Sequence, residues 1–312
     1  MTKRSNSSSH RRQDRLKKDI GFSQPMASES HGHVTEIVSR SIDKWKASDL
    51  GSAQNMQRVL QEQFPDEYAA DVYWTRASEH QFRNFFTWGH DHDFGFGIKR
   101  SGAMGVRHVE IIAECLRYGL LPHDLSGAEV LDVGCWSGGD VLLLAGLGGR
   151  VTAVEEHLKS AASAEKLCSL VGCPLQLVTN SIYEDRKDWQ GKFDIVYASG
   201  VIYHVTDPLL FVRILFAYLR IGGRLVLETK SYQSEESVCG YSGTLERGWN
   251  WFAPNAETLG RWFVDAGFDF DSIRIHTRKN GRLIGMATKT EEAALPETAG
   301  FSRPGSWLEG LV

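Results

Sequence analysis

The stretch "LDVGCWSGGD", Leu131 to Asp140, decides the fold that we predict for this chain. A short run of hydrophobic and acidic residues leads into a turn that contains Gly134, Gly138 and Gly139. Glycines between a strand and a helix expose backbone N–H groups that a ligand can approach closely. The spacing is GxxxGG and not the GxGxxG of dinucleotide-binding folds. The stretch therefore predicts a strand, a ligand-binding turn and a helix, without the dinucleotide fingerprint.

Short apolar runs alternate with helical patterns around this turn, and they read "AEVLDVG", "RVTAVEE", "LQLVTN", "FDIVYASG" and "RLVLETK". Continuous apolar runs of about five residues, separated by helices, are typical of a parallel sheet that is covered on both faces. Further along, "FDSIRIHT" and "RLIGMATK" flank Lys279, Asn280 and Gly281, whose turn chemistry predicts a hairpin. The sequence therefore predicts an α/β fold with an antiparallel C-terminal hairpin.

Composition limits the class of protein. The formal net charge of −4 argues against a nucleic-acid partner, and 42% of hydrophobic residues is ordinary for a globular protein. No apolar run approaches the roughly 20 residues that cross a bilayer, and no apolar leader is seen, so we expect a cytoplasmic protein without membrane contact. The five cysteines lack CxxC spacing, which predicts free and mostly buried thiols.

The chain divides into four predicted segments. Residues 1–30, rich in Ser, Lys and Arg, are predicted to be a disordered tail, and residues 31–107 a helical, aromatic cap or lid. Residues 108–290 carry the pattern of strands and helices, and residues 291–312 form a C-terminal tail. Within the third segment we expect a loop over "GYSGTLERGWNWF" and a helix near Ala256 to Ala266.

Residues 108–290 resemble the class I S-adenosylmethionine-dependent methyltransferases. The resemblance rests on "VLDVGCWSGGD", "VTAVEE", "FDIVYASGVIYHVTDP", "LRIGGRLVLETK" and the closing hairpin. It implies a Rossmann-like methyltransferase sheet of seven strands and S-adenosyl-L-methionine as the cofactor. The residues that it implies as cofactor contacts are Asp132, Gly134, Cys135, Trp136, Gly138, Glu155, Asn180, Ser181, Ile182 and Ser199.

The resemblance also implies what these contacts do. Glu155 ends the second strand, where an acidic side chain accepts hydrogen bonds from both hydroxyls of a ribose. The turn glycines would line the methionine part of the cofactor, residues 180–182 would meet the adenine, and Asp132 would orient the turn or the cofactor amine. Trp136 stands where most members carry a small residue, and we expect it either to pack against the following helix or to line the cofactor pocket.

A closer similarity appears in "GVIYHVTDP", "LRIGGRLVLET" and "WNWFAPNAETLGRWFVDAGF", which are similar to the enzymes that complete wobble-uridine modification in bacterial tRNA. That similarity would imply a carboxylated cofactor held by basic residues, and only Tyr203 can be matched to their motif. Similar sequences occur among small-molecule methyltransferases. In general size the chain also resembles the bacterial methionine S-methyltransferases of dimethylsulfoniopropionate synthesis.

The acceptor site is expected beside the end of the fourth strand. Methyl transfer is an in-line displacement, so the protein must align the reactants, exclude water and, for some acceptors, provide a base. Tyr203 and His204 in "SGVIYH" are therefore the candidate catalytic residues, and Tyr203 is also expected to contact the substrate. His204 is interpreted either as a base or as a structural histidine.

Two aromatic segments supply further candidates for substrate contact. In "FRNFFTWGHDHDFGFGIKRSG" these are Trp88 and His90, with core packing of the rings as the alternative. The alternating His and Asp residues of that segment place the two types on opposite faces, so we expect no metal site. In "RGWNWF", Arg247 suits a substrate carboxylate and Trp249 suits a cation.

These observations favour a methyltransferase that acts on a small molecule. We interpret the acceptor first as a thioether such as methionine, because a thioether sulfur has no proton to remove and an aromatic cluster suits a sulfonium product. The alternatives are an N- or O-methyltransferase of another metabolite, a tRNA wobble-uridine enzyme and a cofactor-binding protein without catalysis. Neither the acceptor atom nor the number of subunits is decided by these motifs.

Overall fold

The computed structural model describes residues 31–46, 51–64, 88–184, 186–234, 236–244 and 250–292. The expected tail 1–30, residues 293–312 of the expected tail 291–312, and Arg247 and Trp249 lie outside these residues. The described chain falls into two compact units, one with residues 31–184 and 193–199, and one with residues 186–192 and 200–292.

The first unit holds the glycine turn and a cap of helices that precedes it. The helices are α1 (His31–Asp43), α2 (Ala53–Gln63), α3 (Arg107–Arg117), α4 (Gly139–Gly146) and α5 (Leu158–Val171). The strands are β1 (His92–Asp93), β2 (Lys99–Arg100), β3 (Glu129–Val133), β4 (Arg150–Val154), β5 (Gln176–Val178) and β6 (Phe193–Ser199).

The second unit holds the antiparallel hairpin that the sequence predicts. Its helices are α6 (Pro208–Tyr218) and α7 (Ala256–Ala266), with short 3-10 turns at Lys187–Trp189, Ile202–His204 and Phe270–Ser272. Its strands are β7 (Leu219–Thr229), β8 (Cys239–Thr244), β9 (Asn250–Pro254), β10 (Arg274–Thr277) and β11 (Leu283–Thr288).

Seven of these strands form one sheet in the order β10-β11-β7-β6-β3-β4-β5. Strand β3 pairs in parallel with β4 and with β6, and β4 pairs in parallel with β5. Strand β11 pairs antiparallel with both β7 and β10. The α/β class, the seven-stranded sheet and the C-terminal hairpin are thus confirmed, and Gly281 forms the hairpin turn with a φ of +79°.

The apolar residues of β3 are buried because helices cover both faces of the sheet. Leu131 and its neighbour Val130 are each 0% exposed, although they point to opposite faces. In the cap, Trp45 Nε1 donates to the Leu142 carbonyl at 2.6 Å. A Cβ at Gly146 would meet the Ser41 Cα at 2.9 Å, so α1 rests directly on α4, the helix that follows the glycine turn.

Two local expectations differ from the structure. The cap is not helical throughout, because β1 and β2 form an antiparallel hairpin whose turn contains Gly95 and Gly97, both with positive φ. The expected loop over "GYSGTLERGWNWF" has strands at its two described ends, β8 and β9, which pair antiparallel with Tyr241 opposite Phe252. In both places cross-strand pairing formed where the apolar pattern was too short to predict a strand.

No helix of the described segments is long and apolar enough to cross a membrane.

Candidate functional site

The glycine turn joins β3 to α4 through backbone conformations that favour glycine. Gly134 has a φ of +71° and Gly138, which precedes α4, has a φ of +90°. A Cβ at Gly138 would approach the Cα and Cβ of Ala164 on α5 to 3.2 Å. The turn therefore keeps its path only with glycine at these positions, and it presents backbone to a ligand as the sequence predicts.

Three acidic side chains surround the start of this turn. Asp132, 2% exposed, lies near the end of β3, and among the described residues its Oδ2 has no hydrogen-bond partner. Burial raises the pKa of Asp132 well above its usual range, and the charges of Asp140 and Glu155 act in the same direction. A concentration of carboxylates in a buried place suits a cationic ligand, because a positive charge would relieve their mutual repulsion.

Glu155 follows β4 and connects two loops. Its Oε2 accepts a hydrogen bond from the backbone N–H of Trp136 at 2.9 Å, and its Oε1 accepts one from that of His157 at 2.8 Å. Burial raises the pKa of Glu155, while these two hydrogen bonds partly oppose the shift. A carboxylate offers about four acceptor positions, so two remain for the hydroxyls of a ribose.

These features fit S-adenosylmethionine. The orphaned Oδ2 of buried Asp132 and the adjacent carboxylates complement a ligand with an ammonium and a sulfonium, and Glu155 has acceptor capacity for a ribose. When bound, the cofactor supplies an electrophilic methyl group.

The structure gives the surroundings of the other predicted cofactor contacts. Cys135 is buried, and the Asn180 amide donates to Glu184 at 2.7 Å. The side chains of Ser181, Ile182 and Ser199 are half-buried, and the cofactor contacts of all five residues stay predictions.

Tyr197 is a contact of this acidic group to which we assigned no role from the sequence. It lies on β6, is 0% exposed, and its hydroxyl donates to Asp140 Oδ1 at 3.4 Å. Burial is the main cause that raises the pKa of Tyr197, so the hydroxyl remains a donor. The signal was the hydroxyl of Tyr197 among the apolar residues "IVYA" of the run "FDIVYASG", because a polar atom must find a partner when the strand is buried.

The cap residues Trp88 and His90 are both in the interior of the first unit. Trp88, 1% exposed, lies 4.6 Å from the ring of Phe64 and 6.0 Å from that of Phe94. His90 is 8% exposed and stacks on His108, with 4.1 Å between ring centroids. This burial favours the packing interpretation, and substrate contact stays a prediction.

The described residues contain no group of three or more His, Cys, Asp or Glu arranged to hold a metal ion.

Tyr203 and His204 lie in the 3-10 turn after β6, with 4.3 Å between their ring centroids. The Tyr203 ring has Lys230 Nζ at 4.9 Å and the Arg282 guanidinium at 5.3 Å from its centroid. Arg282 also donates to the Tyr203 hydroxyl at 3.5 Å. Lys230 in turn donates to Asn250 Oδ1 at 3.0 Å. The candidate catalytic tyrosine is therefore surrounded by cations.

Glu228 holds the cations of this group in place. Its carboxylate, on a residue that is 1% exposed, accepts two hydrogen bonds from Arg282 and lies 3.7 Å from Arg278 Nη1. Burial alone would lower the pKa of Arg282, but the hydrogen bond and charge of Glu228 outweigh it and the pKa is raised. Glu228 and Lys230 stand in "RLVLETK", which we used only as a strand pattern, and Arg282 stands at the hairpin turn.

Comparison with known proteins agrees with this geometry. The family model described as "Methyltransferase domain" matches residues 107–273, which is more than half of the chain. This chain therefore belongs to the S-adenosylmethionine-dependent methyltransferases. The cofactor contacts that we assign to the glycine turn and to Glu155 stay predictions.

Two similar sequences carry the same description. The chain is 31% identical over 198 residues to the tRNA U34 carboxymethyltransferase of Marinobacter nauticus, covering 60% of this chain and 56% of the relative. It is 34% identical over 172 residues to the enzyme of that name from Methylococcus capsulatus, covering 54% and 50%. The chain thus spans about half the length of the curated relatives it matches.

A solved structure confirms the fold. The N-terminal domain of EvdMO1, determined in the presence of SAH and D-fucose, aligns with 76% of this chain and 96% of its own, with a TM-score of 0.51 and 17% identity. At that identity the likeness shows the methyltransferase fold and carries nothing about the acceptor.

Proposed function

We propose that this methyltransferase recognises a carboxylate beside Tyr203 and methylates a small acceptor that bears one, with the thioether sulfur of methionine as the first candidate. The observation that supports the proposal is the placement of Arg282 and Lys230 around the Tyr203 ring, within 5.3 Å and 4.9 Å of its centroid. Arginine and lysine donors near a half-buried phenol hydroxyl are well suited to a planar anion.

The choice of sulfur follows from the chemistry near Tyr203. His204 is the side chain that we assign as the candidate base, and it is exposed to solvent. A nitrogen or oxygen acceptor loses a proton during methylation, whereas a thioether does not, so a thioether can react without help from His204. The hydroxyl of Tyr203 and the cations beside it would then position the amino acid through its carboxylate.

A second candidate is carboxymethyl transfer to tRNA, which the names of the relatives favour. In that reaction the carboxylate belongs to the donor, and the same residues, Tyr203, Lys230 and Arg282, would hold it. The formal charge of −4 weighs against it, because contacts with tRNA phosphates call for a basic surface. The shared element of both candidates is a carboxylate at Tyr203.

The first experiment is mass spectrometry of products from two donors and two acceptors. The donors are S-adenosylmethionine and its carboxymethyl analogue, carboxy-S-adenosylmethionine, and the acceptors are methionine and bulk tRNA. A methylated product from the first donor and methionine supports our proposal. Product from the carboxylated donor and tRNA alone would replace it with the second candidate, and absence of product from all four pairs would refute both.

Lys230→Met tests the carboxylate site without leaving the Glu228 charge unpaired. We expect the KM for the carboxylate-bearing reactant to rise about 10- to 100-fold with a smaller change in kcat, since a hydrogen bond to a charged group is worth about 1.5–3 kcal/mol. The matched control is Lys279→Met in the exposed hairpin turn, which should leave KM unchanged. Equal KM values in both variants would contradict the placement of the carboxylate.

A further inference from the structure

Trp136 is an unusual residue for the place it occupies in the glycine turn. Its φ is +50°, in the left-handed region that L-residues other than Asn, Asp and His rarely adopt. In this conformation its backbone N–H points to Glu155 and donates to Oε2 at 2.9 Å. Something must therefore hold Trp136 in a conformation that its own backbone does not favour.

The Trp136 ring is held by the cap. His90 meets it edge to face, with 5.3 Å between centroids and an angle of 82° between the planes. On its other side His90 stacks on His108 of α3, at 4.1 Å and 25°. The neighbouring Gly89 leaves room for the indole, because a Cβ there would lie 2.9 Å from two carbons of the Trp136 ring. The three rings are in contact one after another, one pair stacked and one pair edge to face, and we call them the His108–His90–Trp136 stack.

The middle ring of this stack is also pressed against the helix that follows the turn. A Cβ at Gly139, the first residue of α4, would collide with His90 Nδ1 and would lie 3.1 Å from His108 Cδ2. His90 and His108 are buried, at 8% and 5% exposed. His90 therefore touches both ends of the short segment between Trp136 and Gly139, from a loop far away in the sequence.

We propose that His90 is a positioning residue for the cofactor turn: through the His108–His90–Trp136 stack it holds Trp136 in the left-handed conformation that directs the Trp136 N–H to Glu155. The Glu155 carboxylate is then fixed by hydrogen bonds from both of its flanking loops before the ribose arrives. Binding is tighter when the groups that receive a ligand are already ordered, because the cost of ordering them is not deducted from the binding energy. This role concerns the cofactor alone and is independent of the acceptor proposed above.

Binding of S-adenosylhomocysteine, measured by calorimetry on the full chain, tests the proposal. His90→Ala removes the central ring, and we expect its Kd to rise about three- to tenfold, the range that the loss of an aromatic pair corresponds to. His90→Phe keeps a ring of similar shape and should bind within about twofold of the unchanged protein. If His90→Ala is recovered unfolded, His90→Leu fills the volume without a ring and carries the same expectation.

A double-mutant cycle distinguishes positioning from general packing. Trp136→Gly removes the indole and allows the positive φ without strain. In that background His90→Ala should have no further effect on the Kd, because the ring that it positions is gone. The matched control is Phe94→Leu, a buried change in the same segment whose ring packs on Trp88 and His92, and it should lower the melting temperature and leave the Kd unchanged.

Two outcomes would overturn the proposal. One is the same loss of affinity from His90→Ala with and without the Trp136 indole. The other is a His90→Ala variant that melts earlier, as Phe94→Leu does, but binds S-adenosylhomocysteine with unchanged affinity. Because no acceptor takes part in these measurements, a failure here is separate from a failure of the carboxylate site at Tyr203.

Discussion

Mild acid should destabilise this protein because its first unit buries three neutral histidines. Burial lowers the pKa of His90 to about 3, with His92 and Arg107 acting in the same direction, and burial lowers the pKa of His92 to about 4. The pKa of His108 is also lowered, first by burial and then by the other two histidines. In the unfolded chain each would titrate near 6.5.

The sign follows from which state binds protons. Below pH 6.5 His92 becomes protonated in the unfolded chain, whereas in the folded chain it stays neutral until about pH 4. The folded state therefore has its full stability above pH 6.5 and loses stability as the pH falls from 6.5 to about 4. From pH 7.5 to 5.0 the loss is about 2 kcal/mol for His92 and about 2 kcal/mol for His90. His108 adds to it. A domain's whole stability is about 5–15 kcal/mol, so the effect is large.

Urea unfolding at pH 7.5 and 5.0 measures this loss, and His92→Phe isolates one part of it. The rings of Trp88 and Phe94 each lie 6.0 Å from that of His92, so a phenyl ring suits the site. We expect the drop in unfolding free energy between the two pH values to be about 2 kcal/mol smaller in His92→Phe than in the unchanged protein. The control is His33→Gln on the exposed face of α1. A drop of equal size in all three proteins would refute the reasoning.

Three further predictions concern single positions. Glu155→Ala should weaken binding of S-adenosylhomocysteine about 10- to 100-fold by calorimetry, since bonds to a charged acceptor are lost, and unchanged affinity would contradict our ribose site. Gly139→Ala should lower the unfolding free energy by about 1–3 kcal/mol, because its Cβ collides with His90. An unchanged urea midpoint would show that the His90 ring moves to accommodate the added Cβ. Asn255→Ala should cost about 1–2 kcal/mol in urea unfolding, because its side chain accepts from the Thr258 N–H at 2.9 Å and caps α7. The Asn255 Nδ2 group also donates to the backbone carbonyls of Ser234 and Glu236, so Asn255→Ala removes these bonds together with the cap, and an unchanged urea midpoint would contradict the capping role.

Local patterns predicted the fold where one physical rule dominates. The run before Gly134 had to be a strand buried on both faces, because the adjacent apolar residues Val130 and Leu131 point to opposite sides of a sheet and both avoid water. The turn at Gly281 followed from its tolerance of positive φ. The strands β1, β2, β8 and β9 were not predicted, since their residues form no continuous apolar run of about five residues and each strand is stabilised by its partner across the ladder.

The sequence by itself determined the α/β class, the glycine turn between β3 and α4, and an acidic residue at Glu155, because each depends on residues that are near one another along the chain. Only the tertiary structure placed His90 against Trp136 and Arg282 beside Tyr203. Those contacts join segments that are 46 and 79 residues apart, and no local pattern specifies which distant side chain fills a given space. Packing sets these partners once the sheet has formed, because interior side chains must fill the space that their neighbours leave.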